Sequence, residues 1–89
     1  MKFTVTWNDA AESDLANAWM AASTEDRSRI TDAAGRAESL LRFDPQLAGE
    51  SRSEDERIVF LPPLVFSIKI REPDRIVEIL SVHHMPRSV

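Results

Sequence analysis

The sequence predicts a two-layer α+β domain in the order β-α-α-β-β-β, with a helical hairpin packed on one face of a mostly antiparallel four-stranded sheet. Three observations lead there. The chain opens on alternating polar and apolar residues from Lys2 to Trp7. Two segments with apolar residues at helical spacing follow. The last third holds three alternating runs separated by Pro62-Pro63 and Glu72-Pro73-Asp74. A chain of 89 residues supports one domain, 1–89, with 83–89 read as a flexible tail.

The first strand runs from Lys2 to Trp7, with Phe3, Val5 and Trp7 on one face. Asn8 suits an N-cap, and Asp9 and Glu12 place negative charge in the first turn of a helix over 9–22. Ala11, Leu15, Ala18, Trp19 and Ala22 form its apolar stripe. After Ser23, Thr24 is read as the cap of a second helix over 25–42, with Ile30, Ala33, Ala34, Ala37, Leu40 and Leu41 as its stripe. Pro45 closes that segment. Gly35 inside the helix, beside Ala33, Ala34 and Ala37, predicts a close helix–helix crossing. The very short link between the helices makes them an antiparallel hairpin. Residues 44–56 read as a polar loop.

Strands follow over 57–61, 64–71 and 75–83, joined by short turns. Pairing Arg71 with Ile76 sets Lys69 opposite Glu78, a favourable cross-strand pair. In that register Leu64, Phe66, Ile68 and Ile70 share the helix-facing side with Val77, Ile79 and Ser81. The other side carries Val65, Ser67, Lys69, Arg71, Glu78, Leu80, Val82 and His84. This mixture of charge and exposed aliphatics marks a surface that meets something else. The Pro62-Pro63 turn does not fix a register, so Arg57 is not placed by this argument.

Net charge is −4, which disfavours nonspecific nucleic-acid binding. The charge is uneven: residues 1–56 hold 6 basic and 12 acidic groups, residues 57–89 hold 5 and 3. The C-terminal third is therefore the more anion-tolerant part. With no cysteine, disulfide and thiolate chemistry are excluded and a reducing cytoplasm is the expected compartment. No apolar run approaches a membrane span, and the N-terminus reads as a strand rather than a signal peptide. Two adjacent histidines without spaced partners make a poor zinc site, and Gly35 and Gly49 alone build no phosphate loop, so neither metal nor cofactor is expected. Trp7 and Trp19 are read as core residues.

In this order the segments resemble the RelE/ParE toxin superfamily. The resemblance spans residues 2–84. It rests on the opening strand ending in Trp7, Asp14-Leu15 and Trp19 in the first helix, and Leu40-Leu41-Arg42-Phe43-Asp44-Pro45. It continues through Gly49-Glu50-Ser51-Arg52, Arg57-Ile58-Val59-Phe60, Pro63-Leu64-Val65-Phe66-Ser67-Ile68, and Asp74 through Val82. It implies the toxin of a bacterial type II toxin–antitoxin pair, neutralised by a cognate antitoxin over its open sheet face. The RelE branch cleaves messenger RNA, usually on the ribosome; the ParE branch inhibits DNA gyrase; some members have lost toxicity.

Metal-free RNA cleavage needs a base, an acid and cations around the phosphate. Glu50, Arg57, Arg71 and His84 are the candidate catalytic set, with Arg52, Lys69 and Arg87 as phosphate-binding candidates; arginine suits this best through its bidentate fork. Val65, Leu80 and Val82 are the candidate antitoxin contacts. The acidic balance and the absence of tyrosine depart from the RelE pattern and favour an inhibitor that acts by contact, or a non-toxic antitoxin-binding homologue.

Overall fold

A computed structural model describes residues 2–85. The elements are β1 (Thr4–Trp7), α1 (Asp9–Ala21), α2 (Thr24–Phe43), a single 3-10 turn (Pro45–Leu47), β2 (Glu50–Ser51), β3 (Glu56–Leu61), β4 (Leu64–Arg71) and β5 (Ile76–His84). The sheet order is β1-β5-β4-β3-β2. β1 lies parallel to β5, and every other pairing is antiparallel. The sheet thus has five strands where the sequence predicts four. The added strand is the two-residue β2, too short to leave a periodicity.

Both helices start where side chains can satisfy their first amides. Asn8 Oδ1 accepts from the Ala11 amide at 2.8 Å. Ser23, not Thr24, caps α2, its Oγ accepting from the Asp26 amide at 3.2 Å. At the end of α1 the Arg27 side chain takes over, donating from Nε to the Trp19 carbonyl (2.8 Å) and from Nη2 to the Met20 carbonyl (3.1 Å). Orphan carbonyls at a helix end are satisfied in this way by a cation from the next helix.

The core lies between the helices and one side of the sheet. Leu64, Phe66, Ile68 and Ile70 of β4 alternate inward and meet Val59, Val77 and Ile79 beside them, and Ile30, Ala33, Ala37 and Leu41 of α2 above them. Trp7 packs edge-on against Phe66, ring centroids 6.2 Å apart. No polar side chain is buried among the described residues.

The four small residues of α2 do not act together. Ala33 and Ala37 are fully buried, but a Cβ built on Gly35 meets nothing within 4 Å. The close crossing expected at Gly35 is absent, because that residue lies on the exposed side of the helix. Gly49 is the opposite case. Its φ is +60°, and a Cβ there would stand 1.9 Å from the Ile58 carbonyl oxygen. Gly49 lets the backbone lie against β3 just before β2 pairs with it.

The two glycines should therefore respond oppositely to alanine. Gly35→Ala is expected to raise stability by up to about 1 kcal/mol, and Gly49→Ala to lower it by more than about 2 kcal/mol. Urea unfolding of both variants checks this; equal effects would contradict the geometry.

Candidate functional site on the open sheet face

The side of the sheet away from the helices has no covering layer among the described residues. Residues paired across neighbouring strands point to the same side, so the register assigns each side chain. The predicted pairs Arg71↔Ile76 and Lys69↔Glu78 are present. Three cross-strand rows follow on the open face: Phe60–Val65–His83, Glu50–Ile58–Ser67–Ser81, and Glu56–Lys69–Glu78–Thr6. Arg71 and Ile76 lie beyond them towards the β4–β5 turn.

The register slips once. Ile68 pairs with Ile79, but Ser67 pairs with Ser81, leaving Leu80 as the extra residue of a bulge. Beyond it the alternation of β5 is inverted. Val82 pairs with Phe66 and is only 5% exposed, and His84 pairs with Leu64 on the helix side. The register expected from the sequence alone puts both on the open face. This is corrected by the bulge: His83, exposed and beside Val65, takes the place expected of His84. Both histidines belong to β5, and residues 86–89 of the tail read over 83–89 lie outside the described residues.

Asp14 reaches the same stretch from α1, its Oδ2 accepting from the Val82 amide at 3.0 Å. β1 stops opposite Ile79, so this part of β5 has no strand on that side, and the carboxylate satisfies an amide that a strand would otherwise take.

The proposed catalytic residues are not gathered in one place. Arg57 pairs with Ile68 on the helix side. Its guanidinium is occupied, Nε donating to the Ala48 carbonyl (2.6 Å) and Nη2 to the Gly49 carbonyl (3.0 Å). It fastens the 48–49 segment to the sheet edge, and its fork is not presented to the open face. Glu50 does lie on the open side, exposed on β2. Arg71 and Lys69 lie there too, but with carboxylates: Arg71 Nη2 is 3.1 Å from Glu78 Oε1, and Lys69 Nζ is 3.7 Å from Asp55 Oδ2. Arg52 follows β2 in an exposed loop, where its amide donates to the Glu56 carbonyl at 2.9 Å. Arg87 lies outside the described residues. No group of three His, Asp or Glu side chains is placed to hold a metal among the described residues.

Of the apolar candidates, Val65 and Leu80 are half-buried at this surface, whereas Val82 belongs to the core. Sequence reasoning missed Ile58 and Phe60, the latter 49% exposed. Pairing Leu61 directly with Leu64 across Pro62-Pro63, as the structure does, would have found them.

No family model and no curated protein matches the sequence. Solved structures do. A chain of the chromosomal ParDE toxin–antitoxin system of P. aeruginosa superposes with a TM-score of 0.74 at 17% identity, covering 96% of this chain and 98% of that one. The RelBE2 toxin–antitoxin complex of Mycobacterium tuberculosis gives 0.74 at 20% identity, covering 94% and 92%. The isolated RelE toxin of E. coli gives 0.66 at 15%, covering 97% and 87%. This chain has the RelE/ParE toxin fold. At these identities the likeness is one of fold, and it extends over the whole RelE/ParE-like domain rather than over a shared motif.

The Arg57 clamp is expected to be structural. Arg57→Ala removes two charge-assisted bonds to carbonyls and should cost on the order of 1–3 kcal/mol. Arg71→Ala, at an exposed pair, should cost less than about 1 kcal/mol. Chemical denaturation of the two variants gives the comparison, and a more damaging Arg71→Ala would count against this assignment.

Proposed function

We propose that this chain is the toxin of a toxin–antitoxin pair, that its antitoxin covers the open sheet face, and that it acts on its target by contact rather than by cutting RNA. The observation that carries the last point is the state of the cations. RNA cleavage needs guanidinium or ammonium groups directed at a phosphate. Here Lys69 and Arg71 face carboxylates, Arg57 is tied to backbone carbonyls, His84 is on the helix side, and Arg52 is left in the exposed loop after β2. What the open face does offer is area for contact: Ile58, Phe60, Val65 and Leu80, to one side of the charged row Glu56–Lys69–Glu78. Among the folds it resembles, those of the M. tuberculosis RelBE2 complex and the intact E. coli RelBE complex are toxin–antitoxin assemblies, which supports an antitoxin as the partner of this chain.

Induced expression without antitoxin tests the reading. Growth arrest is expected with messages intact, and it should persist in a Glu50→Ala, His83→Ala double variant. Relaxed plasmid DNA at arrest would identify DNA gyrase as the target. Message cleavage that vanishes in the double variant would replace the contact reading with a ribonuclease, and folded protein without arrest would reduce the chain to an antitoxin-binding homologue. In a second measurement, Val65→Asp with Leu80→Asp should weaken binding to the antitoxin encoded in the neighbouring reading frame by roughly tenfold or more; unchanged affinity would remove the antitoxin from this face.

A further inference from the structure

The cations of this chain divide into two groups. Arg29, Arg36, Lys69 and Arg71 stand beside carboxylates, and Arg27 and Arg57 bind backbone carbonyls. Lys2, Arg42, Arg52 and Arg75 have neither an ion pair nor a side-chain hydrogen bond among the described residues. Arg52 follows β2 at one edge of the sheet. The other three are brought to one pole by the backbone at the opposite edge. The Phe3 amide donates to the Arg42 carbonyl at 2.7 Å and the Thr4 amide to the Arg75 carbonyl at 2.8 Å, so the start of β1 ties the end of α2 to the β4–β5 turn. Gln46 Nε2 donates to Glu72 Oε1 and adds the 3-10 turn to the same pole. Arg75 precedes β5, whereas His83 is near its other end, so this pole lies away from the exposed histidine.

Two of these cations rest on rings. Lys2 Nζ is 6.0 Å from the Phe43 ring centroid, and the Arg75 guanidinium carbon is 5.4 Å from that of Phe3. Cations placed in this way give up less freedom when an anion arrives. Arg75 also sits at φ +54°, the left-handed region that glycine and asparagine adopt most readily. An arginine strains that turn and adds a charged side chain that the turn does not require. Beside the cations stand two of the most exposed apolar residues of the domain, Phe43 at 53% and Leu47 at 81%.

The carboxylates nearby decide the kind of anion. Asp44, Glu72 and Asp74 are exposed among these residues. A phosphate backbone or an anionic membrane presents charge continuously and would meet them as well as the cations, and the net charge of −4 opposes both. A polypeptide can set its carboxylates singly and bring an apolar side chain between them. We propose that this pole binds an acidic segment of a partner protein, its carboxylates meeting Lys2, Arg42 and Arg75 and a bulky apolar side chain covering Phe43 and Leu47. The site does not depend on the open-face reading.

The test uses the full chain and synthetic peptides of about eight residues, roughly 26 Å when extended. They carry aspartates and glutamates around one leucine or phenylalanine. Control peptides have asparagine and glutamine in place of the acids. A single-stranded oligonucleotide and vesicles containing an anionic phospholipid are compared with them, and binding is mapped by amide chemical shifts. The acidic peptides are expected to bind, with shifts centred on Phe3, Phe43, Leu47 and Arg75 and an affinity that falls with salt. Arg75→Gly suits the turn and Arg42→Gln alters an exposed position, so both should fold, and each should lower the affinity by roughly tenfold. Leu47→Ser should weaken binding without altering its salt dependence. The proposal is overturned if no acidic peptide binds, if the neutral controls bind equally, if the oligonucleotide or the vesicles bind this pole in preference to the peptides, if the shifts fall on β3 and β4, or if Arg75→Gly and Arg42→Gln bind as tightly as the parent.

Discussion

The organisation of the domain depends on an inequality of length between neighbouring strands. β5 has nine residues and its parallel neighbour β1 has four, so the C-terminal half of β5 outruns its partner at Ile79. Amides that lose a strand must find another acceptor, because a buried unpaired donor costs on the order of 1–3 kcal/mol. Asp14 meets that need at Val82 and fixes the first helix to the sheet in doing so. The bulge falls at the same step, immediately after the last β1 contact. The anchoring of the first helix, the break in strand alternation and the identity of the exposed histidine thus meet within a few residues of β5.

Much of the architecture was legible because it rests on periodicity and on short-range chemistry. The alternation of β1 and β4, the Asn8 cap, and the Lys69–Glu78 register are properties of neighbouring residues. The errors concern non-local facts. Nothing in Ile79-Leu80-Ser81-Val82 announces a bulge; no glycine marks it, and it falls where β1, far away in the sequence, has ended. Once the alternation is carried through without it, Val82 and His84 are bound to be placed on the wrong side. Arg57 was read as an open cation because the acceptors that occupy it are backbone carbonyls, which leave no side-chain signature. The spacing of Trp19 assigns it to the core, yet it is 43% exposed, with its ring against the Arg27 guanidinium of α2.

The two layers differ in how they handle charge. On the sheet, cations and carboxylates share a row or stand in adjacent ones and largely cancel, leaving the aliphatic and aromatic side chains as the distinguishing features. On the helices the acids are in excess, and three of the four basic groups are engaged in local tasks: Arg36 with Asp32, Arg29 with Glu25, and Arg27 at the end of α1. The overall charge of −4 thus averages a nearly balanced face and a clearly negative one, which is why composition alone says so little about either.

A sheet covered on one side only has a thermodynamic consequence. A small domain buries a limited share of its apolar surface, and here Phe60, Val65 and Leu80 add nothing to the core while they face water. Any molecule that settles on that face and ignores the unfolded chain shifts the folding equilibrium by mass action, about 2.7 kcal/mol at a hundredfold excess over its dissociation constant. Occupancy then sets how often the chain opens to proteases. The lifetime of the protein becomes a function of its company: long-lived when the sheet is covered, and more readily degraded when it is bare.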